Sequence, residues 1–241
     1  MIAYKPEKVN RIVLKISGEV LAGKKKFGFD FDVFNRITDS IISLKKMGVS
    51  VGIVIGGGNF FRGAKNSNGN ISRLSGDNIG MLATIQNSLA MGDVLKKKNY
   101  NCEIYSAIQL DKIAKNYTPN RAKTSLKEGK ICFFCAGTGN PYFTTDTAAV
   151  LRGIELDADL VLKGTNVDGV FSEDPHKNPD AKLYMNLSYD EAINKKLRVM
   201  DMTAFSLARE NNLQIKVFNI NKKDAIQNAI FEIQSGTFVH S

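Results

Sequence analysis

Six short apolar runs limit what this chain can build: Arg11–Ile16, Ser50–Ile55, Cys102–Ser106, Lys130–Cys135, Leu160–Lys163 and Gln214–Phe218, each of which reads as a buried strand. Helical periodicities lie between them. Phe34, Ile37, Ile41 and Leu44 keep three-and-four spacing after Asp32, with Gly48 as a stop; Leu82, Ile85 and Leu89 repeat the pattern after Asp77, and Ile226, Ala229, Ile230 and Ile233 near the end. Strands that alternate with helices predict an α/β protein, a largely parallel sheet covered on both faces, which makes a three-layer α/β/α sandwich. At 241 residues the chain fits one domain, 1–241, or two lobes on one sheet. In such sheets ligands gather beyond the carboxyl ends of the strands. Lys15 to Gly18, two glycine loops and Lys163-Gly164-Thr165 all fall there.

The first loop, Gly56-Gly57-Gly58-Asn59-Phe60-Phe61-Arg62-Gly63, follows directly on Val51–Ile55. Consecutive glycines let main-chain N–H groups close on an anion, and Arg62 adds a forked, permanent cation suited to phosphate oxygens. The second, Gly137-Thr138-Gly139-Asn140-Pro141-Tyr142-Phe143-Thr144-Thr145-Asp146, repeats the arrangement after Ile131–Cys135. Two anion loops on two strand ends predict two phosphorylated ligands. Lys15, closing a strand and followed by Ser17-Gly18, and Lys163, followed by Gly164-Thr165, read as point charges over phosphates; the alternative is an ordinary surface lysine at a strand end. Asp146, Asp77 and Asp174 each have a plainer reading as a helix cap or turn aspartate, compatible with ligand binding.

Other chemistries find little support. There is no G-x-x-x-x-G-K-[ST], and the dinucleotide pattern begun by Gly56 and Gly58 fails at its third glycine, which is Phe61. Cys102, Cys132 and Cys135 are an odd set without a paired framework, and His176 and His240 are spaced for neither a metal nor a triad. The charge of +9 is spread, with Lys24–Lys26 and Lys96–Lys98 the only triple lysine runs, so it suits anionic nucleotides and does not by itself call for nucleic acid. A polar start from Met1 to Asn10 and the lack of an apolar stretch of about 18 residues predict a cytoplasmic protein without a membrane segment.

Several motifs together carry a resemblance: Leu14-Lys15-Ile16-Ser17-Gly18-Glu19, Ile55 to Gly63, Gly76-Asp77-Asn78-Ile79-Gly80-Met81-Leu82-Ala83-Thr84, Ala136 to Asp146, Val167-Asp168-Gly169-Val170-Phe171 and Asp174-Pro175. The chain resembles, over nearly its whole length, the bacterial uridylate kinases of the amino acid kinase fold. The resemblance implies that Lys15, Ile16, Ser17, Gly18, Gly58 and Arg62 contact ATP phosphates, and that Thr165, Asn166, Phe171 and Asp174 line an adenosine pocket. It implies that Gly57, Asp77, Thr138, Gly139, Asn140, Pro141, Tyr142, Phe143, Thr144 and Thr145 hold UMP. For catalysis the residues themselves lead us to expect Lys15 and Lys163 as electrostatic clamps on the transferred group, with Asp146 orienting them and Arg62 neutralising charge. ATP- and UMP-binding lobes on one sheet, Mg²⁺ carried with ATP and held mainly by phosphates, a homohexamer, inhibition by UTP, and UDP as product are further implications. Many relatives use an arginine and a histidine on the helix after Asp77 for activation by GTP; Gly92 and Lys96 stand in their places, and Gly23 to Gly28 is lysine-rich where the family segment is acidic. Weak or absent GTP activation is therefore expected. A relative acting on a carboxylate or carbamate, and a non-catalytic nucleotide sensor, are the competing readings. The first would need a partner for an α-ammonium that is not identifiable here, and the second has little use for two strand-end lysines.

Overall fold

The computed structural model describes residues 9–61, 70–175, 177–197, 199–232 and 234–241. Its main sheet contains β1 (Arg11–Ile16), β2 (Ser50–Ile55), β3 (Cys102–Ser106), β4 (Lys115–Asn116), β5 (Ile131–Cys135), β6 (Leu160–Thr165), β9 (Asn186–Ser188), β10 (Ile215–Asn219) and β11 (Thr237–His240). Among the described residues the order is β4-β3-β5-β2-β1-β6-β10-β11-β9, parallel from β4 through β10, with β11 antiparallel to β10. A separate two-stranded antiparallel ribbon joins β7 (Val170–Phe171) to β8 (Leu183–Tyr184).

Strand alternation sorts the core into two layers. Ile12, Leu14 and Ile16 face one layer with α2 (Phe31–Lys46), α3 (Arg73–Lys97) and α8 (Ala225–Phe231). Val13 and its neighbours Val54 and Val161 face the other, with α4 (Pro119–Lys127), α5 (Thr145–Glu155), α6 (Tyr189–Asn194) and α7 (Met202–Glu210). A short helix, α1 (Gly18–Leu21), follows β1 directly. Cys132 and Cys135 are buried and unlinked, their thiols pushed up to about 12 by that burial.

Asp30 caps α2, its carboxylate accepting from the Asp32 N–H at 3.1 Å, and Gly48, with φ 85°, ends that segment as expected. Two expectations for α3 need correction. Helix α3 starts four residues before Asp77 and is capped by Ser72, so Asp77 is not a cap. The expected buried stripe of α3 is also shifted: Leu82 and Leu89 are 49% and 37% exposed, while Met81, Ile85, Ser88, Met91 and Leu95 face inward. Small and polar residues, Ala83, Thr84, Asn87 and Gly92, share that inner face with the large apolar ones, and a Cβ on Gly92 would stand 3.3 Å from Ile104 of β3. Ile233, part of the final periodicity, lies outside the described residues.

Candidate active site

Lys15 and Lys163 are register partners on the adjacent parallel strands β1 and β6. Alternation sends both side chains to the α5 face, the side of Val13 and Val161, with backbones only about 4.8 Å apart. Two ammonium groups so close in a buried place require an anion, and the first turn of α5 supplies it. Asp146 pairs with Lys15 at 2.8 Å through one carboxylate oxygen and with Lys163 through the other. Lys163 also donates to the Val199 carbonyl, and Lys15 to the Ser17 hydroxyl at 3.4 Å. Burial alone would raise the Asp146 carboxyl, but the two lysine charges outweigh it and hold the group well below the usual carboxylate range. Burial lowers Lys163 to about 8, with Lys15 adding to the shift and Asp146 opposing it.

Asp146 is not the cap of α5. That place belongs to Thr144, whose side chain accepts from the N–H groups of Asp146 and Thr147. The Thr144 hydroxyl donates in turn to Asp201, which also accepts from the Thr147 hydroxyl at 2.8 Å and caps α7 by accepting from the Ala204 N–H at 2.9 Å. Asp201 thus ties the start of α5 to the segment whose Val199 holds Lys163. The sequence reading missed it, since its partners lie more than fifty positions away and nothing local marks the link.

The first glycine loop packs against the start of α1. A Cβ on Gly18 would stand 2.4 Å from the Gly56 carbonyl and 2.5 Å from the Gly58 nitrogen, so glycine is required for the two backbones to touch. A buried pair of amides clamps the loop to α3: Asn87 donates to Asn59 at 2.8 Å and to the Gly56 carbonyl at 2.7 Å, and Asn59 donates back to Asn87 at 2.9 Å. Neither asparagine was singled out from sequence. Arg62 lies outside the described residues.

Gly57, Asp77, Thr138, Asn140, Phe143 and Thr145 come together around a cavity of about 240 Å³, joined by Phe61, Arg73, Gly80 and Thr84. Asp77 accepts from Arg73 Nε at 2.7 and 2.9 Å and from the Tyr142 N–H at 2.7 Å, so helix α3 is pinned to the second glycine loop. The loop leaves β5 through consecutive left-handed residues, Ala136 at φ 61° and Gly137 at φ 59°. The Thr84 hydroxyl accepts from the buried Ala136 N–H at 2.8 Å and fixes the first of them. Gly139 presses on the Ala107 carbonyl, and the Tyr142 ring points outward, 66% exposed, beneath the Arg73 guanidinium. Pro141, half-buried between Asn140 and Tyr142, continues the same loop.

Across the lysine pair, Phe171 and Asp174 line a second cavity of about 480 Å³ with Val167, Gly169, Lys195 and Val199. Thr165 and Asn166 close β6 just before it, and the Asn166 side chain accepts from Asn221 at 3.0 Å. The backbone carbonyl of Asp174 accepts from Lys177 and Asn178, as its turn reading required. The two cavities flank the lysine bridge: Thr145 of the first adjoins Asp146, and Val199 of the second accepts from Lys163. Among the described residues no group of three or more His, Cys, Asp or Glu side chains could hold a metal ion, and no helix is long and apolar enough to cross a membrane. His176 lies outside the described residues.

Residues 10–219 match the amino acid kinase family. The uridylate kinase of Aeromonas salmonicida is 51% identical over 95% of this chain and 94% of its own length, and that of Colwellia psychrerythraea is 52% identical over 95% and 93%. The crystal structure of a UMP kinase from Bacillus anthracis superposes with a TM-score of 0.93 at 36% identity, covering 97% of both chains. A UMP kinase from Ureaplasma parvum gives 0.91 at 38% identity, covering 97% of this chain and all of that one. A parallel sheet with two buried lysines sharing one aspartate between two cavities, in a sequence so related, means that this chain belongs to the amino acid kinase family, in its uridylate kinase branch, and is an ATP-dependent phosphotransferase.

Proposed function

We propose that the protein transfers the terminal phosphoryl group of ATP to UMP, giving UDP and ADP in pyrimidine nucleotide synthesis. The observation that carries this reading is the Lys15–Asp146–Lys163 bridge with a cavity on either side of it. In this reading the larger cavity, with Thr165, Asn166, Phe171 and Asp174 about it, takes the adenosine. The smaller one takes UMP, with Asp77 accepting from the ribose and the residues from Thr138 to Thr145 enclosing the nucleotide. Ile16, Ser17, Gly18 and Gly58 are assigned to the phosphates, and Arg62, by its charge alone, to the transferred group. One sheet carries both halves as a single domain.

Phosphoryl transfer through a loose transition state needs alignment and dispersed positive charge more than covalent help. A phosphate monoester loses its second proton near pH 6, so UMP arrives as a dianion and no general base is required. The lysines act where charge develops, and Asp146 keeps both side chains at the transfer point rather than allowing them to splay apart. Both Asp146 oxygens are engaged by ammonium groups, and both Asp201 oxygens by Thr144, Thr147 and the Ala204 N–H, so this donor set fits a Mg²⁺ held by nucleotide phosphates. When bound with ATP, that ion would neutralise further phosphate charge.

The test is an acceptor panel of UMP, CMP, dUMP, AMP, carbamate and acetylglutamate with Mg-ATP and direct product detection. UDP should be the dominant product; turnover on acetylglutamate or carbamate without UDP would refute the assignment. We further propose a cytoplasmic homohexamer, inhibited by UTP, binding neither nucleic acid nor membrane. GTP should stimulate UDP formation weakly or not at all at subsaturating ATP, because Gly92 packs its bare Cα near Cys102 and Ile104 and offers no cation. Dose-dependent stimulation would overturn that expectation.

A further inference from the structure

We infer that Arg152 is a positioning residue for the loop that follows β5 and, through it, for the choice of pyrimidine base; this rests on the proposed UMP reading of that loop. Arg152 sits on α5 and is 4% exposed. Its Nη1 donates to Glu155 Oε2 at 2.6 Å, its Nη2 donates to the Gly137 carbonyl at 3.3 Å, and its guanidinium lies 3.9 Å from the centre of the Tyr117 ring. The Tyr117 hydroxyl donates to the same Glu155 oxygen at 2.7 Å, and the Tyr117 ring packs edge-on against Phe134 of β5. Both supports of the guanidinium are therefore themselves fixed. Burial, with the Glu155 hydrogen bond next, pushes the Tyr117 hydroxyl up, so it stays a donor.

What the guanidinium holds is the second of two consecutive left-handed residues, Ala136 and Gly137. The Ala136 N–H is held by the Thr84 hydroxyl and its carbonyl accepts from the Gly139 N–H at 2.9 Å, while a Cβ on Gly137 would meet nothing within 4 Å, which leaves the Gly137 carbonyl to Arg152. Rotation of the peptide between Gly137 and Thr138 would reverse its carbonyl and its N–H together. A trans peptide points its N–H opposite to its carbonyl, so anchoring the Gly137 oxygen also fixes the Thr138 N–H, and Thr138 lines the smaller cavity. Uracil presents a carbonyl and a ring N–H where cytosine presents an amino group and a bare ring nitrogen. A backbone with fixed polarity tells these apart, whereas one free to turn over accommodates both.

Arg152→Lys keeps the charge and loses the planar fork that spans Glu155 and Gly137 at once. Steady-state kinetics should show the KM for UMP rising roughly tenfold, and the preference for UMP over CMP in kcat/KM falling by a comparable factor, because a specificity contact is loosened. The KM for ATP should stay within about twofold, since the other cavity is untouched. A folded variant with the parent's UMP KM and base preference, or one whose ATP KM rises in step, overturns the inference. Should Arg152→Lys fail to fold, Glu155→Gln, which keeps the guanidinium but removes its anionic anchor, is held to the same criteria. Failure of the parent to make UDP from UMP would defeat the proposed function itself; a parent that makes UDP beside indifferent variants defeats only the role of Arg152.

Discussion

At the residue scale, the buried lysine on β6 sets a pH limit. Lys163 is lowered to about 8, chiefly by burial. The clamp needs the charged form, which the free enzyme holds below that value and loses above it, so kcat/KM for Mg-ATP should decline as pH rises past about 8. Arg cannot lose its proton in this range, and a Lys163→Arg variant that keeps activity should lose the decline. A flat parent profile up to pH 9.5 would contradict this assignment. The linkage runs the other way for folding: a lowered lysine leaves the unfolded chain binding more protons between about pH 8 and 10.5, so this residue's contribution to stability improves across that window. Lys15, Lys163 and Asp146 were legible in the sequence because strand ends and a loop–helix junction announce them. Asp201, Arg152 and the Asn59–Asn87 pair were not, since each matters through a partner that only the folded sheet brings near.

At the scale of elements, the contact between the start of α1 and the first glycine loop is the least forgiving. Gly18→Ala would drive a methyl group into the backbone of Gly56 and Gly58, where no side chain can turn aside. We expect a loss of roughly 3 kcal/mol in stability, the upper end for overpacking, together with near-complete loss of turnover as the two loops part. Thermal melts and initial rates on the purified variant check this; a melting temperature within a degree of the parent's would show that the contact yields easily. The strands were readable to the residue for β1, β2 and β3; β1 and β2 are apolar runs buried on both faces, while in β3 only Tyr105 and Ser106 are fully buried. Helix α3 was misread in part for a physical reason: Ile85 is buried as expected, but Ala83, Thr84, Asn87, Ser88 and Gly92 share its inner face with Met81, Met91 and Leu95, while Leu82 and Leu89 lie outside. Hydrophobic periodicity points the wrong way when close approach, not apolar area, decides which side faces the sheet.

For the whole molecule, those outward leucines have a use. Ile79, Leu82 and Leu89 form an exposed apolar row along α3, accompanied by Gln86, on a surface otherwise rich in charge. Such a row suits burial against a second copy, in keeping with the proposed homohexamer. Light scattering should give a mass several-fold above 26.6 kDa for the parent, and Leu82→Asp should shift it to smaller species. An unchanged mass for that variant would place the subunit contact elsewhere. The two cavities and the bridge between them meet at the rim of a single sheet, so whatever steadies that rim steadies both halves at once. Two ammonium groups there share one carboxylate, and folding leaves them in mutual repulsion. In the proposed reaction each arriving polyphosphate would quiet that repulsion and each departing product would restore it, so occupancy and cohesion would rise and fall together through every turnover.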